Sequence, residues 1–253
     1  MNEKQKFEEK GFLLQKKIFD DFSIEKYLKG FDEIVLQLER SDEDINARWG
    51  SKLTKNYEQE DSLVIHTHNV QSYSGIMLEM VMSEVFLDAV ETILGPNIIL
   101  HHTKLFQKPP QKGSAFPLHQ DWSYFPTKNN TMIAAVIHLS PSTEEMGCFR
   151  IVPESHKLGQ IENSDGYSFV EGIHDKYSLE DAKPIIAERG DVLFFHCCSL
   201  HGSFQNLSQT PRKTILVQLY SGNDRVIKGN QHTNVQLALR GRNYYASRQN
   251  VDS

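Results

Sequence analysis

The feature that most restricts the fold is a change in the pattern of apolar residues at Gly95 and Pro96. Beyond this point the chain consists of short apolar runs, rich in β-branched and aromatic side chains, that are separated by turn-forming residues. Runs of this length and composition favour β-strands. The runs are NIILHHTKLF (97–106), TMIAAVIHLS (131–140), CFRIVP (148–153), DVLFFHCC (191–198) and KTILVQLYS (213–221).

The part of the chain before Gly95 has the periodicity of helices. With Ser23 as N-cap, apolar residues recur at helical spacing over 24–38, and a second helix is predicted over 83–94. Helices followed by antiparallel strands predict an α+β, mainly β fold, with helices on one side of a sandwich or barrel. Residues 41–75 show no clear periodicity of apolar residues, which indicates a loop or an insert.

No internal repeat or linker divides the chain, so we expect a single domain over all 253 residues. A mainly helical flank (1–96) would precede a β core (97–222) and a C-terminal extension (223–253).

Charge and composition argue against several classes of partner. The formal net charge of −6 provides no basic field for a phosphate backbone, so no nucleic-acid partner is expected. The N-terminus lacks the apolar core of a secretory signal, and no apolar run is long enough to span a membrane. Cys148, Cys197 and Cys198 are odd in number, which favours reduced thiols over disulfides. We expect a cytoplasmic protein, and the sequence predicts no oligomeric state.

A candidate metal site begins in the stretch AFPLHQDWSYFP. His119 and Asp121 are two residues apart, so an extended backbone would point both side chains to one face. One more histidine would complete the two-histidine, one-carboxylate set of non-haem Fe(II) oxygenases. His201 is the favoured third ligand, because it follows the buried run DVLFFHCC and precedes small residues. His196 lies inside that run and is expected to be a core or supporting histidine.

Arg212 begins the last apolar run, eleven residues after His201. An antiparallel return of the chain would bring its guanidinium beside the metal, where its planar fork suits the distal carboxylate of 2-oxoglutarate. The alternative is a solvated arginine in a turn.

Together these segments resemble the phytanoyl-CoA dioxygenase family of Fe(II)- and 2-oxoglutarate-dependent oxygenases. The resemblance is carried by KPPQKGSAFPLHQDWSYFP, GCFRIVPESHKLG, GDVLFFHCCSLHGSFQN and RKTILVQLYS, and more weakly by EEKGFLL and LRGRN. It implies a double-stranded β-helix, a cupin-like jelly-roll of two facing antiparallel sheets, flanked here by the N-terminal helices.

The resemblance also implies roles for single residues. It makes His119, Asp121 and His201 the iron ligands. It assigns the C5 carboxylate of 2-oxoglutarate to Arg212, with Ser203 assisting. Two further positions align with the co-substrate pocket, where a close relative has methionine and tryptophan: Lys104 and Ile137. Lys104 could equally be an exposed strand residue.

The implied reaction is hydroxylation of an unactivated C–H bond in a small molecule, which consumes 2-oxoglutarate and dioxygen and releases succinate and CO2. Asp121 favours hydroxylation over halogenation, because iron halogenases of this fold leave that position free for chloride. A small polar metabolite is the favoured substrate class. An acyl-CoA hydroxylase is the alternative, and its candidates for binding nucleotide phosphates are Lys108, Lys112, Lys128 and Arg225.

Substrate contacts are expected near the metal motif and in two variable segments. Trp122 and Tyr124 are predicted to line the substrate pocket, and Phe125 to pack in the core. Residues 41–75 and 160–182 are expected to carry substrate determinants, and the second segment is either a lid or a surface loop.

The HTH at 66–68 and the HH at 101–102 lack a nearby carboxylate or cysteine, so structural or solvated histidines are expected there, not a second metal site.

Two other functions stay open. The predicted triad could serve a zinc hydrolase, but HExxH is absent and such an enzyme has no use for Arg212. A non-catalytic jelly-roll that binds a metal or metabolite is the other class.

Overall fold

The computed structural model describes residues 1–50, 52–161, 176–227 and 232–246. Its helices are α1 (Glu3–Lys10), α2 (Asp21–Glu39), α3 (Gly75–Met82) and α4 (Glu84–Leu94). Helix α2 begins earlier than predicted, because the side chain of Asp20 accepts a hydrogen bond from the backbone N–H of Ser23 and so caps the helix. Helix α4 ends at Gly95, whose φ of 82° suits a glycine.

The strands form two antiparallel sheets. They are β1 (Phe12–Gln15), β2 (Ile65–His68), β3 (Ile98–Lys108), β4 (Phe116–His119), β5 (Ile133–His138), β6 (Phe149–Ile151), β7 (Lys183–Pro184), β8 (Val192–His196), β9 (His201–Ser203), β10 (Arg212–Ser221) and β11 (Leu237–Arg240). The larger sheet has the order β1-β8-β5-β10-β3-β11, with β2 also paired to β3, and the smaller sheet has the order β4-β9-β6-β7.

The two faces of the larger sheet bury different clusters. On β5, Ile133, Ala135 and Ile137 pack in the cluster that contains the helices. Ala134 and Val136 alternate with them and pack in a second cluster with Phe149 and Ile151 of the smaller sheet. The sheets therefore face each other across an apolar interior, and the helices cover the outside of the larger sheet. This is the jelly-roll that the family resemblance implied, and it confirms the predicted sandwich with helices on one side.

Strands β1 and β2 were not predicted, because each is only four residues long and lies at an edge of the larger sheet. Strand β2 extends through the HTH motif, inside the segment that was expected to be an insert. Residues 162–175 of the expected lid lie outside the described residues. Within the described ranges, no helix combines the length and apolar character needed to cross a membrane.

Candidate active site

His119, Asp121 and His201 meet at the junction of β4 and β9. The two strands are in register at His119 and His201, which brings the imidazoles side by side. Asp121 lies just beyond β4, in a 3₁₀ turn rather than in extended backbone. Its Oδ1 is 3.8 Å from Nε2 of His119 and 3.7 Å from Nε2 of His201. One ligand atom from each side chain lies within 4.8 Å of the others, so the group could hold a metal ion.

Backbone carbonyls fix the orientation of both imidazoles. Nδ1 of His119 is 2.8 Å from the carbonyl oxygen of Pro117, and Nδ1 of His201 is 3.0 Å from that of Ser199. A carbonyl only accepts hydrogen bonds, so each Nδ1 carries the proton and each Nε2 presents a lone pair. Burial, together with the neighbouring His201, holds the pKa of His119 well below its usual value. The neutral, metal-binding form is thereby favoured.

Gln218 orients the carboxylate. Its Nε2 donates a 2.6 Å hydrogen bond to Oδ2 of Asp121, which leaves Oδ1 facing the two imidazoles. The sequence analysis missed this residue. The available signal was its position: Gln218 is a polar side chain in an apolar strand, on the same face as Arg212 by the alternation of β10.

Arg212 is buried, and only 2% of it is exposed, so the alternative of a solvated turn residue is wrong. Its Nη1 donates to the carbonyl oxygen of Gly147, and its Nε has no hydrogen-bond partner among the described residues. The guanidinium lies 5.2 Å from the ring centre of Phe149, and that ring is 6.4 Å from the ring of His201. Phe149 thus packs against the arginine and lies near one metal ligand.

A second buried cation, Lys108, pairs with Arg212 across β3 and β10. Its Nζ lies 2.7 Å from Oγ of Ser203 and donates to the carbonyl oxygen of Phe204. Neither cation forms an ion pair with a carboxylate in the described part of the chain. Burial lowers the pKa of Arg212 to about 10 and, with the charge of Arg212, holds the pKa of Lys108 well below its usual value. Two desolvated cations without a counter-charge fit an incoming anion.

This position of Lys108 contradicts its suggested role as a surface contact for nucleotide phosphates. Of the other candidates for that role, Lys112 pairs with Asp61, and Lys128 and Arg225 are exposed. A lysine next to two prolines is typical of a solvated turn, and Lys108 is buried only because β3 pairs with β10.

Ile137 is not brought to the site. Its side chain packs in the helix-facing cluster, on the opposite face of β5 from the jelly-roll interior. The next residue, His138, is paired with Thr214 and so shares the face of Arg212. It is buried, and its Nε2 has no hydrogen-bond partner within the part of the chain that the structure describes.

Aromatic side chains cover the metal ligands. Trp122 and Tyr124 are half-buried and pack with Phe125, which is 1% exposed as expected for a core residue. Trp49, which the sequence analysis did not single out, has its ring 4.5 Å from that of His119 and 6.4 Å from that of Tyr124. Its segment was expected to carry substrate determinants, but nothing local distinguished this tryptophan.

His196 does not join the triad. Its Nδ1 accepts a 3.1 Å hydrogen bond from the backbone N–H of Cys198, and it groups with Cys197 and Cys198 instead. Both cysteines are buried, with their sulfur atoms 3.9 Å apart.

Comparison with known proteins gives consistent results. The family model for phytanoyl-CoA dioxygenase (PhyH) matches residues 7–214. Human "Phytanoyl-CoA dioxygenase, peroxisomal" is 29% identical over 258 residues, covering 95% of this chain and 75% of the relative. "Probable alpha-ketoglutarate-dependent hypophosphite dioxygenase" of Stutzerimonas stutzeri is 31% identical over 163 residues, covering 61% of this chain and 56% of the relative.

Solved structures agree in fold. EctD from S. alaskensis with bound Fe matches with a TM-score of 0.71 at 19% identity, covering 94% of this chain and 82% of the other. The epimerase SnoN in complex with Fe3+, alpha ketoglutarate and nogalamycin RO matches with a TM-score of 0.72 at 16% identity, covering 90% and 85%.

Proposed function

This chain belongs to the phytanoyl-CoA dioxygenase family and is an iron- and 2-oxoglutarate-dependent oxygenase, and from that premise we propose that it hydroxylates an unactivated C–H bond of a small molecule with release of succinate and CO2. One observation carries the proposal. Two imidazole nitrogens and one carboxylate oxygen converge within 4.8 Å, and each is oriented by its own hydrogen bond.

His119, Asp121 and His201 would hold the metal. Two nitrogens and one oxygen, with further coordination positions open, suit Fe(II). Iron in this site supplies the oxidative chemistry, with 2-oxoglutarate and dioxygen as co-substrates. The protein contributes the ligand orientation through Pro117, Ser199 and Gln218. A carboxylate at 121 leaves no vacancy for a halide, which favours hydroxylation over halogenation.

Arg212 and Lys108 would bind the distal carboxylate of 2-oxoglutarate. Arg212 has an unpartnered Nε, and its fork suits a carboxylate. Lys108 is held by Ser203, so the role expected for Ser203 becomes one of positioning the ammonium. Phe149 packs against the guanidinium of Arg212 and lies near His201, and it would pack against the carbon chain of the co-substrate.

Trp49 would shield the metal ligands from water, since its ring packs on His119 and against Phe116 at 5.3 Å. Trp122 and Tyr124 remain candidates for substrate contacts. A small substrate is favoured over an acyl-CoA, because two of the four candidate phosphate contacts are not free for that role: Lys108 is buried and Lys112 is paired with Asp61. A cytoplasmic location stays a prediction.

The reaction is tested with a panel of small metabolites under ¹⁸O₂. A substrate should accelerate succinate release, and one ¹⁸O atom should appear in the product alcohol. Succinate release without product labelling would contradict hydroxylation. A protein that binds Fe(II) and 2-oxoglutarate but releases no succinate with any substrate would favour the non-catalytic jelly-roll.

A further inference from the structure

Five basic side chains gather on the inner face of the β2–β3 edge, and we call them the basic cluster: His66, His68, His102, Lys104 and His232. Strand pairing sets their positions, since His68 of β2 is directly opposite Lys104 of β3, and His102 lies on the same face two residues away. That face also carries Phe106, which packs in the jelly-roll interior.

The members of the basic cluster are in close contact. The ring of His68 is 4.5 Å from that of His66 and 4.7 Å from that of His232. The ring of His232 is 5.1 Å from that of His102, and Nζ of Lys104 is 3.5 Å from Nε2 of His232. The imidazoles and the ammonium therefore converge on one region.

The basic cluster adjoins the metal site. His102 is paired in register with Gln218, the residue that hydrogen-bonds Asp121, and Lys104 is paired with Leu216. Residues two apart on a strand are separated by roughly 7 Å. Tyr124 lies between the two sites, with its ring 6.5 Å from that of His232. A small molecule can span the distance from the cluster to the metal.

Lys104 forms no ion pair with an acidic side chain in the portion of the chain that the structure describes, although it is half-buried and lies over the ring of Phe125 at 5.3 Å. The carboxylate charge of Asp121 acts on Lys104 without a direct contact and partly offsets the effect of burial on its pKa. Burial lowers the pKa of Lys104 to about 8 and that of His68 to about 4. A cation with neutral imidazoles around it, in a poorly solvated pocket, is a set of hydrogen-bond donors that suits an anion.

Two other occupants fit less well. A second metal ion would need at least three ligand atoms close to one point. In the described ranges, the groups whose ligand atoms all lie within 4.8 Å of one another do not include the histidines of this cluster. The distal carboxylate of 2-oxoglutarate belongs to Lys108 and Arg212, and Lys108 is four residues from Lys104 on β3, roughly 13 Å away. The cluster is therefore left for the substrate that is oxidised.

We propose that the basic cluster binds an anionic group of the prime substrate, a carboxylate or a phosphonate, and so places a nearby C–H bond at the metal. This inference rests on the proposed function. It narrows the substrate class to small acids whose oxidised carbon lies a few bonds from the anionic group. It also reassigns Lys104 from the co-substrate to the substrate.

The test uses the full-length protein with Fe(II) and 2-oxoglutarate under anaerobic conditions. Propionate and methylphosphonate are the anionic probes, and propionamide is the neutral one; calorimetry measures their binding. At least one anion should bind, and propionamide should not. Lys104→Met should weaken anion binding about tenfold or more, as expected for loss of a charge-assisted hydrogen bond, whereas Lys104→Arg should retain most of it. Lys29→Met, at an exposed lysine of α2, should change nothing.

The two anions identify the head group, and a preference for either supports the proposal. Equal binding of propionamide and propionate would overturn it, as would binding of neither anion or anion binding that Lys104→Met leaves unchanged. The visible absorption of the iron–2-oxoglutarate chelate is recorded in the same samples. If Lys104→Met needs the same 2-oxoglutarate concentration as the wild-type protein for half-maximal absorption, the variant is folded. If it needs a higher concentration but binds the anion normally, Lys104 contacts the co-substrate and the proposal is wrong. Loss of the chelate in the wild-type protein would instead count against the proposed function.

Discussion

Replacing Lys108 by methionine should separate co-substrate binding from stability. The ammonium is buried, without a carboxylate partner, and is held by Oγ of Ser203 at 2.7 Å and by the carbonyl of Phe204. Loss of one charge-assisted hydrogen bond to 2-oxoglutarate costs about 1.5–3 kcal/mol, which corresponds to roughly a 12- to 150-fold rise in Kd.

The stability of the metal-free protein should change little. Lys108→Met removes a desolvated cation, which is neutral or stabilising, but it leaves the acceptors at 203 and 204 without their donor, which costs about 1–3 kcal/mol. These effects oppose each other. We therefore expect the free energy of unfolding to stay within about 1.5 kcal/mol of the wild-type value.

The assay is an anaerobic titration of the Fe(II) protein with 2-oxoglutarate, followed by visible absorption, alongside chemical denaturation of the metal-free protein. Lys112→Met is the matched control, because Lys112 pairs with Asp61 at the surface. The reasoning would be refuted if Lys108→Met bound 2-oxoglutarate as tightly as the control, or if it lost affinity only in proportion to a loss of folded protein.

Further changes test other parts of the site. Asp121→Ala should abolish turnover in the succinate assay because it removes the charged ligand, and wild-type activity would remove Asp121 from the site. Arg212→Ala should weaken binding of 2-oxoglutarate by roughly 1.5–3 kcal/mol, seen as a higher KM for 2-oxoglutarate, and should change the KM for the prime substrate far less; equal changes in both KM values would contradict the role of Arg212 in binding the co-substrate. Gln218→Leu should raise the Kd for Fe(II) about 10- to 100-fold in equilibrium dialysis, since the carboxylate loses its orienting donor, and an unchanged Kd would make Gln218 a packing residue. Burial holds the pKa of Lys108 low in the free protein, so binding of 2-oxoglutarate at a pH above that lowered pKa should take up a proton at Lys108, and affinity should fall as the pH rises further; calorimetry above that pKa in buffers of different ionisation enthalpy would contradict this by finding no uptake.

Local patterns in the sequence were enough for the parts of the site whose geometry is local. Four of the five apolar runs after Pro96 correspond to β3, β5, β8 and β10 of the larger sheet, and the fifth corresponds to β6 of the smaller sheet. The spacing of His119 and Asp121 places both beside one point, even though Asp121 lies in a turn. His201 was favoured over His196 from its place at the end of a run, and the register of β4 with β9 brings His201 beside His119.

The remaining features depend on which strands become neighbours, and no single segment specifies that. Lys108 is buried by its pairing with β10, and the basic cluster exists because β2 pairs with β3. The family resemblance aligns Ile137 with a position in the co-substrate pocket, but its side chain lies on the helix-facing side of β5. Adjacent strand residues point in opposite directions, so His138, the next residue, faces the interior instead. Trp49 reaches His119 from a segment without regular periodicity.

The proposed function requires that His119, Asp121 and His201 share one iron ion. Anaerobic titration with Fe(II) and 2-oxoglutarate, with His201→Ala and His196→Ala in parallel, tests it most directly. We expect one iron per chain and a visible charge-transfer band in the wild-type protein and in His196→Ala, and neither in His201→Ala. A band that persists in His201→Ala, or that disappears only in His196→Ala, would contradict the account.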